Sequence, residues 1–128
     1  SCLVGSEMCI RDRNKTFKGI AVSSGNSFVH ETESQVILNG SYNINFTMDL
    51  VLKDTGLFDN LAKKLNAPLE ISPKIVEIFK DGEKKYGSRA WSSMIVKRME
   101  DLNKIDFRAD GFPDELVDNE PEEKGYEI

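Results

Sequence analysis

Between Phe46 and Leu65 apolar residues recur along two i, i+4 rows, Leu57-Leu61-Leu65 and Leu50-Phe58-Ala62, the spacing of one face of a helix. Asn66 is a suitable C-terminal cap for that helix, and Pro68 forbids much continuation. A second helix is expected from Ser72-Pro73, with the serine as N-cap and the proline at the first helical position, where its missing N–H costs nothing. In it Ile75, Ile78, Phe79 and Tyr86 face one way, Lys80, Lys84 and Lys85 crowd the last turns, and Gly87 ends the run. A third helix should span about Trp91 to Leu102, with Trp91, Ile95, Met99 and Leu102 on one stripe. Upstream, a short apolar stretch over residues 17–25 stops at Ser23-Ser24-Gly25. A weaker helical pattern from Ser27 to Leu38, pointed by Phe28, Val36 and Ile37, is broken by Asn39-Gly40. No run alternates with period two for long enough to make a strand, so the expected class is all-α, an up-and-down helical domain.

The 128 residues suit one domain, and an apolar share of 39% with mixed charges argues against disorder. No stretch approaches the ~18 apolar residues of a membrane span, and a net charge of −5 makes free nucleic acid a poor partner. The charge is unevenly placed. Residues 103–128 hold nine acids against Lys104, Arg108 and Lys124, a net of −6, which leaves +1 for the first 102. Such an acidic tail is usually a solvated segment. This one is punctuated by Phe107, Phe112, Leu116, Val117, Tyr126 and Ile128, so part of it should lie along the body, with Phe112 and Tyr126 docked.

Both cysteines, Cys2 and Cys9, fall in the opening SCLVGSEMCIRDR, at a spacing that matches no metal motif. The apolar stretch there is too short for a signal peptide. The string resembles a translated sequencing adapter, and residues 1–13 are set aside as an artefactual segment. With no initiator Met, the chain is read as a fragment. Asn14, Asn39 and Asn45 stand in glycosylation sequons, but nothing argues for secretion, and a reducing cytoplasm is the expected compartment.

Much chemistry is absent from the pattern. There is no glycine-rich phosphate loop, and His30 is the single histidine, so no serine triad, thiol enzyme or zinc site can be assembled. The acidic tail lacks the spacing of a calcium loop. What stands out is Lys53-Asp54. Lys53 heads the row Leu57-Leu61-Leu65 and Asp54 sits inside Leu50-Asp54-Phe58-Ala62, two opposite charges in what should be a core-facing stripe. Charges there need partners or a functional reason. The plain alternative is that Lys53 snorkels and Asp54 marks the edge of the stripe. Phe46, seven residues before Lys53, would lie about 20° off its face two turns away in a continuous helix.

The stretch from Phe46 to Glu100, with Phe, six residues, Lys-Asp, an apolar helix, a proline-marked turn, a second helix and a glycine, resembles the C-terminal helical domain of the β-hydroxyacid dehydrogenases. These are the 3-hydroxyisobutyrate dehydrogenase and tartronate semialdehyde reductase group, related to 6-phosphogluconate dehydrogenase. Ser23–Phe28 resembles the loop that precedes this domain. Arg108, Gly111-Phe112-Pro113 and Gly125-Tyr126-Glu127 resemble the C-terminal extension of some bacterial members. The resemblance covers roughly residues 17–128. It implies a helical domain over residues 14–102 with an acidic extension over 103–128, and a Rossmann domain that is not in this chain.

It further implies NAD or NADP as cofactor, a small 3-hydroxy acid as substrate and subunits that pair through this domain. The proton-transferring lysine would lie in the missing part, so no catalytic residue is expected here. By family position Phe46, Lys53 and Asp54 would line the cleft. Lys53 would meet cofactor oxygens, Asp54 would orient Lys53 or a water, and Phe46 would wall off the pocket. Gly56, one turn after Lys53, would either admit a close backbone approach or mean nothing. A domain parted from its packing partner should expose apolar surface and self-associate. The rival reading is a non-catalytic helical module for protein association, its tail a docking arm, since both share the same amphipathic patterns.

Overall fold

The computed structural model describes residues 6–116 together with Pro121 and Gly125, and side-chain surroundings from Arg13 onward. Val117, Tyr126 and Ile128 of the expected docking tail, and Cys2, lie outside the described residues.

The first helix, α1, runs Ser6–Ala21 and crosses the boundary drawn at residues 13 and 14 without a break. It stops where Ser23 turns the chain. The Ser23 N–H and hydroxyl both donate to the Ile20 carbonyl, and Ser23 Oγ then accepts the Gly25 N–H at 3.1 Å. Ser27 caps the second helix, α2 (Phe28–Asn39), its hydroxyl accepting the His30 N–H at 3.0 Å. Gly40 ends α2 in the left-handed conformation, φ 96°, which its lack of a Cβ permits.

The third helix, α3 (Met48–Lys64), starts two residues later than its apolar rows suggest, because Phe46 and Thr47 are engaged elsewhere. Its exit is a Schellman motif. The Ala67 N–H reaches the Ala62 carbonyl at 2.9 Å and the Asn66 N–H reaches Lys63 at 3.2 Å, with Asn66 left-handed at φ 52°. The fourth helix, α4 (Ser72–Tyr86), packs antiparallel against α3 across the short proline turn. Ser72 is not its N-cap. Ile71 holds that position, and the Ser72 hydroxyl instead donates to the Asp59 carboxylate of α3 at 2.5 Å, a charged acceptor that outbids a backbone amide.

The expected third-segment helix is split. Trp91 is extended, Ser92–Val96 is a 3₁₀ turn, and only Lys97–Asn103 is α-helical, here α5. The cause is tertiary. Thr47 and Trp91 form an antiparallel bridge, the Ser92 N–H donates to the Phe46 carbonyl at 2.8 Å, and the Ser93 hydroxyl donates to the Tyr42 carbonyl at 2.8 Å. The 3₁₀ turn touches α2, α4 and α5, and so ties the α1–α2 pair to the α3–α4 hairpin. The fold is all-α, with five α-helices and no strand among the described residues.

The core is small: Val36, Tyr42, Ile44, Met48, Ala62 and Ala109. Met48 brings the first turn of α3 into it and Ala62 the last. Gly82 of α4 belongs to it, since a Cβ there would meet Ile95 Cδ1 at 2.6 Å and Met48 Sδ at 3.3 Å, so the helix needs that glycine for close approach. The leucine row of α3 is not in the core. Leu57 lies about 180° around the helix from buried Met48. Leu57, Phe58, Leu61 and Leu65 are 54–68% exposed, so most of the stripe expected to face the core faces outward; of its members Ala62 is buried, on a packed side shared with Met48, Thr55 and Asp59. Among the described residues no helix is long and apolar enough to cross a membrane.

The segment after α5 does lie on the body as far as it is described. Ala109 N–H donates to the Leu38 carbonyl at 3.0 Å, Asn39 Nδ2 donates to the Phe112 carbonyl at 3.0 Å, and the Phe112 ring meets Phe17 edge-on at 5.1 Å.

Candidate functional site

The N-terminal turn of α3 is built on side chains rather than on its own cap. The Thr47 hydroxyl donates to the Asp49 carboxylate instead of capping, and Asp49 accepts the Leu50 N–H at 3.0 Å. The hydrogen bond from Thr47, helped by the Arg89 guanidinium 3.1 Å away, holds the Asp49 carboxyl below the usual carboxylate range. A carboxylate here also complements the positive end of the helix.

One turn on, Lys53 Nζ pairs with Asp54 Oδ1 at 3.2 Å, with both side chains more than half exposed. An exposed pair of adjacent residues adds little stability, between nothing and ~1 kcal/mol. Its charges are therefore available to a ligand without cost to the fold. The pair flanks the outward leucine face, with Leu50 and Leu57 on neighbouring turns. Gly56 has nothing within 4 Å of a Cβ, so no backbone approaches it.

Phe46 is not in helical register with Lys53, because it precedes Thr47 and stands outside α3. Its position comes instead from Ser92, whose N–H binds its carbonyl, and from the flanking Met48 N–H to Ala90 carbonyl bond at 2.9 Å. The residue is 37% exposed, just ahead of the first turn of α3. Lys53 and Asp54 are thus brought together, and Phe46 is carried by a different device.

That device leads to residues the sequence reading passed over. The segment from Gly40 to Thr47 contains two non-glycine residues at positive φ, Tyr42 and Asn45, both at 55°. Each costs about 1–2 kcal/mol. Tyr42 donates its hydroxyl to Glu100, a carboxylate only 2% exposed. Glu100 also accepts the Phe107 N–H at 2.8 Å and Arg108 Nη1 at 2.7 Å, while Arg108 Nη2 donates to the Tyr42 hydroxyl at 2.9 Å. Burial pushes the Glu100 carboxyl up, but the bonds from Tyr42, Phe107 and Arg108 outweigh it and leave the group below its ordinary value. Burial and the Glu100 carboxylate push the Tyr42 hydroxyl up to about 12. Nothing in the local pattern separates Glu100 from exposed Asp101 beside it.

His30 is structural. The Phe17 carbonyl 2.9 Å from Nε2 can only accept, so Nε2 carries a hydrogen, and Nδ1 lies 3.3 Å from the Ser34 hydroxyl. The ring also stacks on Phe17 at 4.8 Å, joining α1 to α2. Among the described residues no three His, Cys, Asp or Glu side chains form a group that could hold a metal ion.

Compared with known proteins, the chain matches the family model described as NAD-binding of NADP-dependent 3-hydroxyisobutyrate dehydrogenase over residues 4–99. The match takes in residues 4–13 and ends one residue before Glu100. No curated protein matches the chain, and no solved structure does.

Proposed function

This chain belongs to the NAD-binding family of NADP-dependent 3-hydroxyisobutyrate dehydrogenase, and from that premise we propose that it is the C-terminal helical domain of an NAD(P)-dependent oxidoreductase acting on small 3-hydroxy acids. In this reading the domain closes the cleft that holds cofactor and substrate, and subunits pair through it. The observation that carries the reading is the exposed Lys53–Asp54 pair at the border of an outward apolar helix face. A helix that, with its C-cap Leu65, spends four large apolar side chains on its outer surface is shaped to be covered.

The residues present suit a dinucleotide. Lys53 offers a compact cation to phosphate or carboxyl oxygens, and Phe46 with the α3 leucines offers apolar wall. When bound, the nicotinamide supplies hydride transfer at the hydroxyl-bearing carbon. Lys53 binds the anionic group and Asp54 holds the ammonium in place. Phe46 keeps water from that edge. No group of this chain is assigned the proton transfer.

Joining the full 128-residue chain to the dinucleotide-binding domain of a 3-hydroxyisobutyrate dehydrogenase, and assaying NAD(P)H formation from 3-hydroxy acids, tests the proposal. Lys53→Ala should lower kcat/KM about ten- to a hundred-fold, the loss of one charge-assisted contact of about 1.5–3 kcal/mol. Asp54→Asn should cost less, and helix content by circular dichroism should be unchanged in both. If activity is untouched in both variants, the pair has no part in the cleft.

A further inference from the structure

The segment that delivers Phe46 does little to hold its own shape. Gly40, Tyr42 and Asn45 all have positive φ, at 96°, 55° and 55°, and Asn43 Oδ1 is buried with no hydrogen-bond partner. Backbone of this kind persists only where its surroundings over-determine it. On one side the holder is the 3₁₀ turn, through Ser92 to Phe46 and Ser93 to Tyr42. On the other side the holders are Glu100 and Arg108. Arg108 donates to the Ile37 carbonyl at 3.3 Å and lies across the start of the segment, where a Cβ on Gly40 would stand 2.4 Å from Arg108 Nε. Its guanidinium also covers the Tyr42 ring at 5.2 Å. The Arg108 carbonyl accepts from Arg13 Nη1 at 2.7 Å, which fixes that stretch of backbone to α1. Glu100 and Arg108 both lie beyond residue 99, where the family match ends.

We propose that Glu100 and Arg108 are positioning residues that act through Tyr42 to hold the Gly40–Thr47 segment, and so set Phe46 on the wall of the cleft. The proposal rests on the reading of Phe46 given above. The physical reason is the geometry of the acceptor set. One buried carboxylate takes the Tyr42 hydroxyl, the Phe107 N–H and the guanidinium together, so the C-terminal segment and the segment before α3 share a single anchor. Moving either one leaves a buried charge short of a partner.

The test is residue-by-residue amide hydrogen exchange, by NMR, on the full 128-residue chain. Tyr42→Phe keeps the ring and removes the hydroxyl that joins the anchor to the segment. Loss of one such bond should speed exchange about tenfold at the Ser92 and Met48 amides, which bond to Phe46 and Ala90. Amides inside α4 should not change. A purely structural role would instead speed exchange evenly through the chain. An even rise, or no change at Ser92 and Met48, overturns the proposal. If Tyr42→Phe does not fold, Arg108→Lys provides the same comparison, because it keeps the charge and loses the planar fork.

Titrating the unsubstituted chain, joined to the dinucleotide-binding domain as in the activity assay, with NADP⁺ separates the two claims. Shifts at Phe46 and Lys53 support the cleft assignment. Faster Ser92 exchange in the variant, with no NADP⁺ shift at Phe46 or Lys53, upholds the anchor and sinks the cleft assignment beneath it.

Discussion

Arg108→Met should be the most damaging single change outside the apolar core. It removes Nη1, 2.7 Å from a Glu100 carboxylate that is 2% exposed, and leaves that charge with only the Tyr42 hydroxyl and the Phe107 N–H. Breaking a buried ion pair from one side costs about 3–5 kcal/mol, because the surviving charge stays desolvated. The Arg108 side chain is 33% exposed, so water can reach part of the site and the lower end, about 3 kcal/mol, applies. In a chain of this size that is roughly a 10 °C fall in Tm. Adding Glu100→Leu removes the stranded charge, and the double variant should recover about half the loss. Urea denaturation of both single variants and the double, at constant m, reads the coupling. A loss below about 1 kcal/mol for Arg108→Met, or strict additivity in the double variant, would refute the claim that the cluster is a coupled buried anchor.

The same cluster should make the fold acid-sensitive. The folded Glu100 carboxyl lies below its ordinary value of 4.5, so its stabilisation is fully present above that pH and is lost as pH falls through the folded value. Melting curves should therefore steepen below about pH 4.5 in the natural chain and less so in Glu100→Gln; equal acid slopes would count against it. The outward face of α3 should drive self-association. Leu57→Glu with Leu61→Glu should reduce binding of a hydrophobic dye and shift sedimentation toward monomer, with stability within about 0.5 kcal/mol because neither side chain is buried. Unchanged dye binding would mean that this face is not the exposed apolar surface that matters.

The bounds of α2, of α4 and of the C-terminal end of α3 were legible because their punctuation is chemical, whereas α1 (Ser6–Ala21) and the split between Ser92–Val96 and Lys97–Asn103 were not. Ser23 through Ser27, Asn39-Gly40, Asn66 and Gly87 stop or start helices for reasons a single residue carries. Which side of α3 would be buried was not legible. Periodicity locates an apolar face, but only the partner decides whether it is covered, and α4 takes the narrower side formed by Met48 and Ala62. The spacing from Phe46 to Lys53 fits a helix through residue 46, and no local pattern reports that Ser92 draws the Phe46 carbonyl away. The adjacency of Lys53 and Asp54 was readable, since neighbouring residues need no fold to meet. The Tyr42–Glu100–Arg108 cluster was not, because each member sits in an ordinary local context.

That cluster also orders events in time. Tyr42 and Glu100 are 58 positions apart and Tyr42 and Arg108 are 66 apart, whereas α3 and α4 are joined by a short turn. Closing the longer loop costs about 1 kcal/mol more than closing a hairpin of some twenty residues, and long-range closure comes late on a folding route. The helix bearing Lys53 can therefore settle early and locally. The segment bearing Phe46 must wait for Arg108, near the end of the chain. During synthesis, which releases the N-terminal portion first, the helix bearing Lys53 should be in place before the segment bearing Phe46 is fastened, and that fastening comes only once the C-terminal segment has emerged.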